Sequence, residues 1–242
     1  MKDLIKLVDH TQLKAYAALE HIKNLVKEAS VFGCYAVCVN PVYLDFVLNT
    51  IKQEGLALKA CVVADFPLGC STTELRRFSV ENLAKKGAHE IDVVAPIALV
   101  KSHAFREVEE DIRELVKAAH SNGALIKVIV EDAYTTLEEK RELYKIVMQS
   151  GADFIKTSTG FEDSVFAQSL SNATGAQPSN VALIAELSRV YNPKIGIKVS
   201  GGIRSVEQIK TLLDASKRSA HPMSFRVGTS STKKIWEELR ST

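Results

Sequence analysis

The hydrophobic pattern alternates between two textures: short runs rich in β-branched and other apolar residues, and longer amphipathic stretches between them. Runs at Ile5–Val8, Tyr35–Val39, Leu58–Ala64, Glu90–Val94, Leu125–Glu131, Phe154–Thr157, Ile195–Ser200 and Phe225–Gly228 predict eight strands. They recur at about the 30-residue period of a βα unit. Most are apolar at consecutive positions, the pattern of parallel strands covered on both faces. The stretches between read as helices. Val108, Ile112, Leu115, Val116 and Ala119, for example, form one apolar stripe at helical spacing. Ser71 with Glu74, Thr136 with Glu139 and Ser205 with Gln208 have the spacing of capping boxes. Gly33, Gly55, Gly87, Gly123 and Gly151 stand where helices should stop.

Eight strand–helix units in 242 residues predict an α/β fold of the (β/α)8 TIM-barrel class, with residues 1–242 as one catalytic domain. The rival, an open doubly wound sheet, would carry a glycine-rich turn after its first strand, and Asp9-His10-Thr11-Gln12 is not one. The longest interval between strands, from Gly160 to Lys194, contains Asn172, Thr174, Gly175, Gln177, Pro178 and Ser179 and reads in part as a long loop at the barrel mouth.

Composition narrows the function. With 31 basic and 29 acidic residues the formal charge is +2, and no basic run suggests a nucleic-acid partner. No apolar stretch reaches membrane-span length, and Met1-Lys2-Asp3 leads straight into an amphipathic segment, so neither membrane nor signal peptide is expected and the cytoplasm is. None of Cys34, Cys38, Cys61 and Cys70 belongs to a C-x-x-C pair; free thiols in a reducing compartment are the expectation.

Barrels place active sites at the C-terminal ends of their strands, so charged residues there matter most. Asp92, Lys127, Lys156 and Lys198 lie within predicted strands and Asp9 just after the first. Lysine is depleted from strands and is almost never buried without a partner. One such lysine could extend its stem to solvent. Three on consecutive strands, with an aspartate on the strand before, would face one another across a narrow barrel. Burial and like charge both favour a neutral amine, which can attack a carbonyl and form a Schiff base. Lys156 and Lys198, on adjacent strands, are the natural pair, with Asp92 to move protons. The alternative is a structural network of ion pairs.

Two further segments point to phosphate. Ser200-Gly201-Gly202-Ile203-Arg204 and Gly228-Thr229-Ser230-Ser231 follow strands seven and eight and open helices, where barrels often hold a phosphate on backbone N–H groups. No nucleotide-binding loop or H-E-x-x-H pair occurs, and the six histidines are scattered, so no metal or other cofactor is expected. His10 reads as structural, and His89, His103 and His120 as solvated.

The sequence resembles the deoxyribose-phosphate aldolase family, from Asp9-His10-Thr11-Gln12-Leu13 to Gly228-Thr229-Ser230-Ser231. Phe66-Pro67-Leu68-Gly69, Glu90-Ile91-Asp92-Val93-Val94, Lys127-Val128-Ile129-Val130-Glu131, Lys156-Thr157-Ser158-Thr159-Gly160 and Gly196-Ile197-Lys198-Val199-Ser200-Gly201-Gly202-Ile203-Arg204 carry the match between them. The resemblance implies a class I aldolase on a TIM barrel that interconverts 2-deoxy-D-ribose 5-phosphate with acetaldehyde and D-glyceraldehyde 3-phosphate. It implies Lys156 as Schiff-base lysine, Lys198 as its tuning neighbour and Asp92 as proton relay. Asp9 and Thr159 would line the sugar end of the pocket. Gly160, Gly201, Gly202, Arg204, Gly228, Ser230 and Ser231 would form the phosphate end. A homodimer is the family-level expectation.

Four departures stand out. Relatives often follow Lys-Thr-Ser-Thr-Gly closely with Gly-Gly-Ala-Thr, whereas this chain runs from Phe161 to Gln168 and reaches Asn172-Ala173-Thr174-Gly175 only later. Some members carry a basic residue where Phe161 stands, and many carry asparagine where this chain has Ala95-Pro96. Some members end in a tyrosine tail that reaches the site; with Arg240-Ser241-Thr242 in that place, this device is not expected. A different Schiff-base aldolase and a sugar-phosphate-binding barrel without catalysis are the competing readings.

Overall fold

A computed structural model describes residues 2–241, the side chain of residue 2 excepted. Eight strands, β1 (Val8–Gln12), β2 (Ala36–Val39), β3 (Lys59–Ala64), β4 (Glu90–Val94), β5 (Leu125–Ile129), β6 (Phe154–Lys156), β7 (Gly196–Ser200) and β8 (Phe225–Thr229), pair in sequence order. All pairs are parallel, and β8 returns to β1 to close the barrel. Among the described residues ten α-helices connect and surround them: α1 (Leu19–Phe32), α2 (Leu44–Gln53), α3 (Thr73–Lys85), α4 (Ile97–Lys101), α5 (Phe105–His120), α6 (Leu137–Gln149), α7 (Ser164–Ser169), α8 (Pro178–Tyr191), α9 (Val206–Ser216) and α10 (Thr232–Ser241). The predicted TIM barrel is what forms.

Alternation along each strand divides the interior in two. Val37, Val39, Val62, Ile91, Val93, Ile126, Val128, Ile155, Ile197, Val199 and Val227 belong to the main core with the helices. Ala36, Cys38, Cys61 and Val63 form a separate small cluster with Leu13. The inward positions of β4 to β8 carry the charges Glu90, Asp92, Lys127, Lys156, Lys198 and Arg226, with Phe154, Gly196 and Gly228 among them. Register explains why those charges converge: Asp92 is paired with Lys127, Lys156 with Lys198, and Lys198 with Arg226, so they occupy neighbouring rows around the barrel wall.

Local chemistry sets the helix ends. Thr136 accepts the Glu139 N–H, and Glu139 accepts the Thr136 N–H at 2.8 Å, so the box expected at α6 forms. Ser205 accepts the Gln208 N–H, but the Gln208 side chain reaches back to the Arg204 N–H instead. The Ser71–Glu74 box does not form. Helix α3 starts at Thr73 with Thr72 as its cap, and Ser71 is drawn off by the Asp65 carboxylate, which accepts from its N–H and its hydroxyl. The α5 stripe is buried as expected.

One larger expectation needs correction. Residues Lys2–Leu7 form a 3₁₀ helix and β1 begins at Val8. Leu4, Ile5 and Leu7 are buried all the same, because a short apolar run signals burial without deciding between strand and helix. The interval after Gly160 is loop in part, as expected: 170–177, with Asn172, Thr174, Gly175 and Gln177, is irregular between α7 and α8, and Pro178 and Ser179 open α8. The cysteines are free; Cys34, Cys38 and Cys61 are buried and Cys70 is exposed. Burial pushes the Cys34 thiol up to about 12.

Candidate active site

Four cations and three carboxylates are buried inside the barrel: Lys127, Lys156, Lys198 and Arg226 against Asp9, Glu90 and Asp92. Asp92 is the hub. Its Oδ2 accepts from Lys156 Nζ at 2.8 Å and from Lys198 Nζ at 2.7 Å, while Oδ1 accepts from Lys127 Nζ at 2.9 Å and from the Cys61 thiol at 3.1 Å. Asp9 meets Lys198 Nζ at 2.7 Å and Arg226 Nε at 3.0 Å. Glu90 meets Lys127 at 2.6 Å and also pairs with Arg226, whose guanidinium lies 3.7 Å over the Tyr35 ring. Burial opposes charge on Asp9, Asp92, Lys127, Lys198 and Arg226, and their partners overcome it. Lys127, Lys156 and Lys198 hold the Asp92 carboxyl well below the usual carboxylate range. Asp9 and Asp92 in turn hold Lys198 charged far above the usual lysine range. Lys127 and Arg226 are raised too.

Above this layer opens a cavity of about 230 Å³, lined by residues from the ends of β1, β6, β7 and β8. Lys156, Thr159, Gly160, Gly201, Gly202, Arg204, Gly228, Ser230 and Ser231 all line it. Lys198 and Asp92 lie beneath. Asp9 lies there too and does not line the cavity, because β1 starts later than expected and carries Asp9 one layer down; Thr11, Gln12, Leu13 and Lys14 line it from the β1 side. Gly228 makes room for the network: a Cβ on it would come 3.2 Å from Lys198 Cε. The first four N–H groups of a helix lack partners within it, but at α9 those of Val206 and Gln208 are taken by Glu238 at 3.0 Å and by Ser205. Ser231 N–H is committed to Thr229 Oγ1 at 2.9 Å.

A sequence profile of the DeoC/LacD family aldolases matches residues 4–238. The chain is 43% identical over 240 residues to the deoxyribose-phosphate aldolase of Thermoplasma volcanium, covering 99% of this chain and 96% of that one. Over 227 residues it is 44% identical to the deoxyribose-phosphate aldolase of Pyrobaculum neutrophilum, covering 94% and 96%. The chain belongs to the DeoC/LacD family of aldolases. Its fold superposes on the deoxyribose phosphate aldolase from Aeropyrum pernix, described as tetrameric, with a TM-score of 0.81 and 31% identity, covering 99% of this chain and 92% of that one.

In this aldolase the departure after Phe161 has a structural explanation. Asp163 caps α7, accepting from the Val165 and Phe166 N–H groups, and the chain then returns to the site. Asn172 Nδ2 donates to the carbonyls of Asp132, Ala133 and Thr135. Gly175 packs so closely that a Cβ on Gly201 would lie 2.7 Å from its Cα, and the Ala176 N–H donates to the Gly201 carbonyl at 3.2 Å. The segment therefore buttresses the Gly201-Gly202 turn.

Several site residues lay outside the sequence reading. Arg226 and Glu90 complete the buried network, and their signal was available: each is a charge beside apolar strand positions, Phe225-Arg226-Val227 and Glu90-Ile91. Glu131 is another. It has φ +46°, is 2% exposed, and accepts the Thr159 N–H at 3.2 Å. Burial, then nearby Glu162, pushes its carboxyl up to about 8, and burial pushes that of Asp132, which accepts from the Tyr144 hydroxyl, up to about 7. A raised carboxyl binds its proton more tightly folded than unfolded, so its contribution to stability is full below about 4.5 and is lost as pH rises to about 8. Glu131→Gln mimics the protonated form. Urea denaturation from pH 5 to 8.5 is expected to show the native chain losing stability relative to the variant, by up to about 1.4 kcal/mol per pH unit. A difference independent of pH would contradict this.

The histidines divide. His10 is buried with Nε2 3.0 Å from Glu28, the structural role expected. His103 and His120 are exposed, but His89 is half-buried and its Nδ1 accepts the Ala60 N–H at 3.0 Å, so it is not a solvated residue. Among the described residues, Cys38, Cys61 and Asp92, and likewise Asp9, Cys61 and Glu90, bring potential metal-ligand atoms within 4.8 Å of one another. Their carboxylates already face four cations, and a metal ion would add to that excess of positive charge.

Proposed function

We propose that the chain is a class I aldolase that reversibly cleaves 2-deoxy-D-ribose 5-phosphate to acetaldehyde and D-glyceraldehyde 3-phosphate through a Schiff base on Lys156, with the whole chain as its catalytic domain. One observation carries the reading: Lys156 is the lysine that both touches Asp92 and lines the cavity between the two glycine loops. The names of its relatives, among them the deoxyribose-phosphate aldolase of Thermoplasma volcanium, support the substrate.

The chemistry follows from the charge balance. Four cations face three carboxylates, so loss of one proton balances the buried cluster, and Lys127 and Lys198 are the lysines held charged. Neutral Lys156 attacks C1 of the open-chain sugar, and the carbinolamine loses water to give the iminium. The C2–C3 bond then breaks. Its electron pair passes to C2 as an enamine, and the proton of the C3 hydroxyl leaves to a base. Protonation of C2 and hydrolysis release acetaldehyde and free the amine. Asp92, touching both lysines, relays the protons, and charged Lys198 stabilises the electron-rich steps. Thr159 orients the sugar, and Gly160, Gly201, Gly202, Arg204, Gly228, Ser230 and Ser231 hold the phosphate.

The substrate is tested by comparing phosphorylated and plain sugar. Native enzyme is expected to prefer 2-deoxyribose 5-phosphate over 2-deoxyribose, because holding one end of a substrate lowers the barrier at the other. Ser231→Glu places a carboxylate where the phosphate would sit. It is expected to cut kcat/KM for the phosphorylated sugar about a hundredfold and to leave plain deoxyribose within about threefold. Equal losses for both would contradict this placement.

No helix among the described residues is long and apolar enough to cross a membrane. We propose a cytoplasmic homodimer; the tetrameric Aeropyrum protein supports self-association but not the dimer itself.

A further inference from the structure

The loop after β1 reaches across the cavity. Lys14 lines it, and its Nζ lies 5.0 Å over the ring of Phe161, in the loop after β6. Those strands are not neighbours: β8 and β7 stand between them in the barrel, and the loops after these carry Gly228–Ser231 and Gly201–Arg204. A side chain that joins the β1 loop to the β6 loop therefore crosses the part of the mouth bounded by both glycine loops.

The Lys14 backbone is fixed while its ammonium is not. Its N–H donates to Gln12 Oε1 at 3.1 Å, its carbonyl accepts from the Ala17 N–H at 3.0 Å, and the Tyr43 hydroxyl at 2.5 Å holds the Ala17 carbonyl. Among the described residues no carboxylate lies within 4.0 Å of Lys14 Nζ, in contrast to Lys127, Lys156 and Lys198. Phe161 is itself set by its N–H to Thr159 Oγ1 at 3.0 Å and by an edge contact with Phe66, centroids 5.4 Å apart. An exposed ammonium on a ring is weakly held, whereas an ammonium on an anionic oxygen makes a stronger, charge-assisted bond.

We propose that Lys14 is a specificity-determining residue that recognises the anionic phosphate of the substrate, its ammonium moving from the Phe161 ring to a phosphate oxygen between the glycine loops. This rests on the sugar-phosphate reading above and extends it. The pocket otherwise offers Arg204 as its exposed cation, so Lys14 supplies a second from the opposite rim. It also accounts for an apolar Phe161: the ring is the resting place of the cation and not its source.

The test is steady-state kinetics on 2-deoxyribose 5-phosphate and 2-deoxyribose for the native chain, Lys14→Met and Lys14→Arg, with borohydride trapping of acetaldehyde alongside. Lys14→Met is expected to lower the ratio of kcat/KM for phosphorylated over plain sugar about tenfold, mainly through KM. Lys14→Arg, which keeps the charge, should restore most of the ratio. Trapping should match the native chain, since acetaldehyde has no phosphate. An unchanged ratio in Lys14→Met, or equal losses for both sugars, overturns the role of Lys14 while leaving the aldolase reading intact. Failure of the native chain to trap acetaldehyde or cleave the phosphorylated sugar overturns both.

Discussion

Lys156→Arg is expected to abolish turnover, by about four orders of magnitude or more, without unfolding the protein. Arginine keeps a cation for Asp92 Oδ2, which Lys156 now meets at 2.8 Å, so the buried network retains its charges. Guanidinium stays protonated at any accessible pH and cannot form an imine. The check pairs initial rates with a melting curve: rates at background with a melting temperature within a few degrees of native. Residual activity above a few per cent would remove Lys156 from the nucleophile's role.

The second large effect concerns Lys198. Lys198→Met leaves three cations facing three carboxylates: Asp9 keeps Arg226, and Asp92 keeps Lys127 and Lys156. The cluster is then balanced with every remaining group charged, and nothing favours a neutral amine in the cavity. Turnover is expected to fall by about two to three orders of magnitude, and the acid limb of the rate profile to move to higher pH. Because the substitution removes a cation without leaving a carboxylate unpaired, the fold should survive. A profile with the native acid limb would mean that Lys198 does not act on the amine.

Much of this was legible in the sequence because the barrel imposes a simple grammar. Strands buried on both faces are recognisable as runs, and a lysine at position 127, 156 or 198 within such a run is costly enough to imply partners. The two glycine loops were legible from their place after strands seven and eight. What escaped was register and shape. Arg226 and Glu90 follow the same alternation as Lys198 and Asp92, yet only register shows that these charges meet. Asp9 was placed at the mouth because Ile5–Val8 read as a strand, and the shift of β1 to Val8–Gln12 carries it down a layer. The docking of Gly175 on Gly201 depends on how residues 161–177 fold back, which no local pattern encodes.

The central claim is that the lysine at the floor of the cavity forms the covalent intermediate. Borohydride reduction of the native enzyme in the presence of acetaldehyde, followed by peptide mapping by mass spectrometry, tests it directly. The account predicts a single two-carbon adduct on the peptide carrying Lys156, and none in Lys156→Arg. An adduct on Lys127 or Lys198 instead, or an active enzyme that captures none, would contradict it.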